Sequence, residues 1–280
     1  MSQTTQNLSK IVSQTRRDIV RMVHAVQSGH PGGSLGCAEL LVYLFHNYLD
    51  YKIPMDSNGE GEDIFLLSNG HISPVLYSVL ARAGFFEIDE LKTFRKLNSR
   101  LQGHPAVKEK LPGIRVATGS LGQGLSVGIG IAEGKRLKKD DKQTVVLMGD
   151  GELQEGQCWE AIMYAGHNKL SRLIAIIDFN GQQIDGATQD IMGFAELESK
   201  FHSFGWHTTQ MKGNSLEDIH NKMQKLKTSP SPKPKVVIMK TEMGNGVDFM
   251  MGSHKWHGIA PNDEQLEEAL RQNPETLGDY

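Results

Sequence analysis

Val145-Val146-Leu147-Met148-Gly149-Asp150-Gly151 is followed by a second apolar run, Leu173-Ile174-Ala175-Ile176-Ile177, with Asn180 standing 30 positions after Asp150. Between the runs, Cys158 to Asn168 has helical composition and little β-branching, so the region reads as strand, helix, strand. Such crossovers are nearly always right-handed, and ligands in open parallel sheets sit outside the carboxyl ends of the strands. Asp150 and Asn180 fall at those ends. A carboxylate and an amide oxygen there suit a hard cation such as Mg²⁺, which completes its octahedron with phosphate oxygens and water. Gly151 lets the backbone approach a diphosphate closely. The loop Gly181-Gln182-Gln183 offers a carbonyl, best that of Gln182, as a further cation ligand.

Working outward, the spacing of Ile11, Val12, Ile19, Met22, Val23 and Val26 predicts an amphipathic helix over 8–27. A Gly-rich turn follows at Ser28 to Ser34, then a buried helix over Ala38–Leu49. Phe65-Leu66-Leu67-Ser68 reads as a strand running into Asn69-Gly70-His71. Residues 98–122 lack periodicity and carry many Gly and Pro, which predicts a long functional loop. Gly124 to Arg136 reads as a closely packed helix. Beyond Asn180 come a short helix at Ala195–Phe201, a strand at Thr208-Thr209-Gln210, a helix capped by Ser215 through Lys227, a rigid Ser229–Pro234 loop and a buried strand at Val236–Lys240. Strands alternating with helices imply an α/β fold: a three-layer, doubly wound, mostly parallel sheet with helices on both faces. Residues 1–265 are expected to form this domain, and 266–280 a tail or the start of a connector.

The chain has 280 residues, 38% of them hydrophobic and 22% charged, which is ordinary for one soluble globular domain. A formal net charge of −3 gives no electrostatic footprint for nucleic acid or an anionic membrane. No apolar run approaches a membrane span. Two cysteines, Cys37 and Cys158, exclude a disulfide framework and a cysteine-based zinc site. With the polar segment Met1 to Lys10, these features predict a cytoplasmic protein.

Four histidines lie in Gly/Pro-rich loops: His30 in Ser-Gly-His-Pro-Gly, His71 in Ser-Asn-Gly-His, His104 in Gly-His-Pro, and His254 in Ser-His-Lys-Trp-His-Gly. Imidazole donates or accepts hydrogen bonds and moves protons near neutral pH, so four such loops converging on one pocket would suit a substrate with several hydroxyls.

Six ordered motifs carry a family resemblance. They are Ser28-Gly29-His30-Pro31-Gly32, Leu67-Ser68-Asn69-Gly70-His71, Gly103-His104-Pro105, Thr118-Gly119-Ser120-Leu121-Gly122-Gln123-Gly124, Gly149-Asp150-Gly151-Glu152-Leu153-Gln154-Glu155-Gly156 and Ile184-Asp185-Gly186-Ala187-Thr188. In these the chain resembles the N-terminal, diphosphate-binding part of transketolase over nearly its whole length. The resemblance implies thiamine diphosphate with Mg²⁺, or Ca²⁺ or Mn²⁺ in its place. It implies metal binding by the side chains of Asp150 and Asn180 and the carbonyl of Gln182. It places Gly151, His71 and His254 against the diphosphate and the backbone of Gly119, Ser120 and Leu121 against the aminopyrimidine. His30, His71, His104 and His254 would line the sugar channel and assist proton transfer, with His254 and His257 as alternatives for the cofactor-facing imidazole. Glu155 would join a carboxylate network at a subunit contact. Relatives usually carry proline where Ser120 stands; the contact there is through backbone.

The resemblance also implies a second, pyrimidine-binding domain that supplies a glutamate to the cofactor ring. The sequence ends at Tyr280, so this chain is expected to be the N-terminal subunit of a split transketolase. A separate C-terminal subunit, in an α2β2 assembly, would complete it. The implied reaction moves a two-carbon ketol unit from a ketose phosphate, such as xylulose 5-phosphate, to an aldose phosphate through a thiamine diphosphate carbanion, as in pentose phosphate metabolism. Two alternatives are half of a deoxyxylulose-phosphate-synthase-like enzyme and a non-catalytic regulatory paralogue.

Overall fold

Central strands buried on both faces read as continuous apolar runs, and these runs form the middle of the sheet. A computed structural model describes residues 3–56 and 58–280; Met1 and Ser2 of the polar N-terminal segment lie outside the described residues. Five parallel strands make one sheet: β1 (Ile64–Leu67), β2 (Thr144–Gly149), β3 (Leu173–Phe179), β6 (His207–Lys212) and β7 (Lys235–Lys240), in spatial order β1-β2-β3-β7-β6. A separate antiparallel pair, β4 (Gln182–Gln183) and β5 (Gly186–Ala187), forms the turn after β3.

Side chains alternate along each strand into two cores. Val145 and Leu147 of β2, Ile174 and Ile176 of β3, and Val237 and Met239 of β7 enter one core. Residues of α1 (Gln3–Val26), α3 (Ala38–Tyr43), α4 (Ser73–Arg82) and α9 (Leu216–Lys227) cover that core, with the short α2 (Pro31–Gly36) feeding it. Val146, Met148, Ala175, Ile177, Val236 and Ile238 enter the other core. There they meet α5 (Gly124–Leu137), α6 (Gly156–His167) and α8 (Leu197–Ser203), while the short α7 (Thr188–Met192) lies beyond the β4–β5 turn. Helices on both faces of a parallel sheet make the three layers expected. α5 lies close to the sheet because a Cβ on Gly128 would stand 2.5 Å from Val146. Among the described residues, no helix is long and apolar enough to cross a membrane.

Local chemistry explains the helix ends. α1 buries Leu8, Val12, Ile19, Met22 and Val23 and stops where Gln27 takes a left-handed conformation, φ 47°. Ser215 caps α9 by accepting from the Asp218 N–H at 3.3 Å. Several features differ from the sequence reading. The Gly-rich turn expected at Ser28 to Ser34 becomes helical at Pro31, as α2. The helix expected through Leu49 gives way after Tyr43 to a π-helical turn at Leu44–Tyr48. α4 follows Asn69-Gly70-His71 and is apolar nearly all round, so it shows no amphipathic period. The boundary expected at 265 falls inside α10 (Asp263–Gln272), which Asn262 and Gln265 open as a capping box. Residues 273–280 return along α1, where Arg17 meets the Asp279 carboxylate at 2.6 Å and the Leu270 and Asn273 carbonyls at 2.8 Å.

Candidate active site

β2 and β3 run parallel with Gly149 beside Asp178, so the residues just past their ends share one rim of the sheet. Asp150 is 2% exposed. Its two oxygens accept from the Gly151 N–H at 2.8 Å and the Gly181 N–H at 2.7 Å, which ties the β2 end to the loop after β3. Asn180 donates through Nδ2 to Asp178 at 2.9 Å, and its Oδ1 accepts from the Gln182 N–H at 2.9 Å. Asp178 also accepts from Thr241. This network turns the Asn180 carbonyl oxygen toward the Gln182 turn and fixes its amide. Burial, and then the Asp178 carboxylate, push Asp150 up to about 7, against its two backbone donors. A buried carboxylate pushed up in this way, on the rim that also carries the Asn180 amide oxygen, is a donor pair that a hard dication fits.

The histidines form the second half of the rim. His30 and His71 ring centres are 5.0 Å apart. The third member of this cluster is His257, 5.5 Å from His30 and 5.0 Å from His71. His254 stands at the start of the same 3₁₀ turn and makes no ring contact with them among the described residues. Of the two alternatives left by the sequence, the backbone of this turn therefore brings His257 to the cluster. His104 packs on the Gly119 segment: a Cβ on Gly119, at φ +121°, would lie 2.5 Å from the His104 ring.

All four pocket rings are held neutral. Burial lowers His30 to about 4, with further lowering from His257, Arg95 and His104. His71 lies well below the ordinary histidine range through burial and the other three histidines. His257 is lowered by burial, and His104 by burial and by Arg95. Neutral imidazole keeps one donor and one acceptor nitrogen. The His30 Nδ1, Asn69 Oδ1 and Thr118 Oγ1 atoms are buried without a protein partner, so the rim presents unfilled hydrogen-bonding capacity toward a polar ligand.

The Gly119-Ser120-Leu121 backbone lies over Gly70, where an added Cβ would come within 2.7 Å of the Gly119 nitrogen. Glu155 is exposed at the rim and packs against Gly122. Around it stand exposed apolar side chains, including Leu121 at 39%, Ile184 at 64% and Met192 at 52%. Arg95, absent from the sequence reading, lies on the histidine side of the rim, where its charge acts on His30 and His104. Its guanidinium donates to Ser28 at 3.0 Å and packs on Gly103. No motif marks it, and its backbone is left-handed at φ 55°. Asp178 was legible in principle, as a polar residue at the end of a buried strand.

A family profile described as the transketolase thiamine diphosphate binding domain matches residues 8–275. Over 263 residues the chain is 38% identical to a subunit of an apulose-4-phosphate transketolase from Phocaeicola vulgatus, covering 94% of this chain and 92% of that one. It is 36% identical over 245 residues to a subunit of a 6-deoxy-6-sulfo-D-fructose transketolase from a Clostridium species, covering 87% and 88% of the two chains. A solved transketolase of Campylobacter jejuni superposes with a TM-score of 0.88 at 32% identity, over 98% of this chain and 43% of that one. The chain thus spans about two-fifths of that longer transketolase and nearly the whole of the relatives named as subunits. It belongs to the transketolase family and corresponds to its thiamine diphosphate binding domain.

Proposed function

We propose that this chain is the N-terminal subunit of a split transketolase. With a separate C-terminal subunit it transfers a two-carbon ketol unit from a ketose phosphate to an aldose phosphate. The observation that supports this reading is the juxtaposition on one sheet rim of Asp150 and Asn180, which carry oxygen donors, with the cluster of His30, His71 and His257 rings. The near-full coverage of relatives named as transketolase subunits supports it.

In this reading Asp150, Asn180 and the Gln182 carbonyl hold Mg²⁺, for which Ca²⁺ or Mn²⁺ can substitute, and the Gly151 backbone lies against the diphosphate. The Gly119 to Leu121 backbone supports the aminopyrimidine. Thiamine diphosphate, when bound, supplies the carbon that takes up and releases the ketol unit. The chain's own work is binding and proton handling. His30, His71 and His257, neutral at pH 7, hold sugar hydroxyls and exchange protons with them through their ring nitrogens. His104, packed on the Gly119 segment, does so as well. Glu155 and the apolar rim around Leu121 and Ile184 face the partner subunit, in an α2β2 assembly, and the complex works in the cytoplasm.

The test is steady-state turnover of the reconstituted pair with thiamine diphosphate and Mg²⁺. A panel of ketose phosphates, apulose 4-phosphate and 6-deoxy-6-sulfo-D-fructose would serve as donors, with pyruvate as the contrasting one. Ketol transfer from a ketose is expected. Turnover of pyruvate alone would move the chain to the deoxyxylulose-phosphate-synthase class, and no turnover with any donor would contradict the proposal.

A further inference from the structure

Glu152 follows Asp150-Gly151 directly, yet its carboxylate is buried, with the residue 2% exposed. One oxygen accepts from the Ser68 hydroxyl and from the Gly122 N–H at 2.9 Å. The other accepts from the Gly149 N–H at 3.1 Å. The Ser68 hydroxyl oxygen in turn accepts from the Gly124 N–H at 3.2 Å. These partners belong to three separate segments: the end of β1, the loop entering α5, and the end of β2. None is a cation. Burying a carboxylate without a counter-ion is costly, and here three converging donors offset the cost, one of them just ahead of the positive end of α5.

The joined segments have little slack. A Cβ on Gly124 would lie 2.2 Å from the Ser68 hydroxyl oxygen. Gly122 adopts φ +84°, and a Cβ there would lie 2.9 Å from Glu155 Cβ. The 119–124 segment is therefore held from below by Ser68 and Gly70 and from the side by Glu152 and Glu155. The geometry points to Glu152 as a positioning residue. Its carboxylate sets the spacing between the Gly119–Leu121 backbone and Gly149-Asp150-Gly151, the two places that meet opposite ends of thiamine diphosphate on the reading proposed above, on which this inference rests. A single cofactor bridging two loops needs both in register, and misplacement by about 1 Å is enough to lose much of the binding.

The test uses the complex of this chain with its partner subunit, in wild-type form and as Glu152→Asp, Glu152→Gln and Ser68→Ala. Thiamine diphosphate is titrated calorimetrically with Mg²⁺ present, and melting temperature is measured without cofactor. Glu152→Asp keeps the charge but is one methylene too short to reach all three donors, so cofactor binding should weaken about ten- to a hundredfold. Glu152→Gln keeps the reach and one acceptor oxygen and should weaken binding less. The cofactor KM should rise in the same order, with kcat recovering at saturating cofactor. If Glu152→Asp does not fold, Ser68→Ala, which removes one donor to Glu152 and the acceptor of the Gly124 N–H but leaves the carboxylate in place, should still weaken binding by about threefold or more. A folded variant set with lowered melting temperature but unchanged cofactor affinity and KM would overturn the inference and leave Glu152 a structural residue. A wild-type complex that binds no thiamine diphosphate would overturn the proposed function along with it.

Discussion

His30 offers a sharp test of whether the pocket imidazoles are neutral. Its folded-state pKa is about 4, against 6.5 for an ordinary histidine, chiefly because it is buried. A depressed base stabilises the fold above the unfolded-state pKa and loses that stability as pH falls, because the unfolded chain takes up the proton first. The window therefore runs from pH 6.5 down to 4, mostly above the range where ordinary carboxylates dominate acid unfolding. At pH 5 the linkage relation gives about 2 kcal/mol for this shift, and about 1–2 kcal/mol after discounting for the part of the ring that water reaches. His30→Phe keeps an aromatic ring against His71 and His257 while removing the titration. Urea unfolding of wild type and His30→Phe at pH 7.5 and pH 5 should therefore show a loss on acidification that is smaller in the variant by that amount. Equal losses in the two proteins would refute the neutral-cluster argument, because His30 would then be free to protonate in the folded state.

Three further outcomes follow from the geometry. Asp150→Ala should leave the fold intact but weaken Mg²⁺-dependent thiamine diphosphate binding by about a hundredfold or more, since even outer-sphere partners of a metal are worth ten- to a hundredfold; calorimetry of the reconstituted complex reads this directly. His257→Ala should lower kcat/KM for ketol transfer by about a hundredfold, whereas His254→Ala, outside the ring cluster, should change it by about threefold or less. Gly166→Ala should destabilise the chain by about 3 kcal/mol or more, because the new Cβ would stand 1.8 Å from the Phe204 carbonyl oxygen where α6 meets the turn after α8; the melting temperature should fall while cofactor affinity in the folded protein stays unchanged.

The central strands and the rim of the site were legible because burial on both faces leaves no choice of residue. β2 and β3 appear as unbroken apolar runs, and the polar residues that end them are the ones that reach the rim. β6 is an edge strand with Met211 alone buried, so its apolar signal is faint and the sequence pattern marks only three of its six residues. α4 was hidden for the opposite reason, having too little polar surface to show a period. The choice between His254 and His257 depends on which way a single 3₁₀ turn aims two side chains three residues apart, which spacing cannot decide. Glu152 and Arg95 depend wholly on tertiary placement: one is an acidic residue in a motif that reads as cation chemistry, the other a lone arginine in a loop. The tail beyond Gln272 packs through Asp279 and Tyr280 on α1, a contact between residues more than 250 positions apart that no local pattern announces.

The most direct measurement is affinity capture of this chain from its native lysate with thiamine diphosphate and Mg²⁺ present. The eluate is analysed for subunit stoichiometry, bound cofactor and ketol transfer from xylulose 5-phosphate to ribose 5-phosphate and from the other ketose donors. The account predicts a stoichiometric second chain, cofactor retained only in the complex, and transfer that disappears when cofactor is removed and returns when it is restored. A captured chain with neither partner, cofactor nor transfer activity would contradict it.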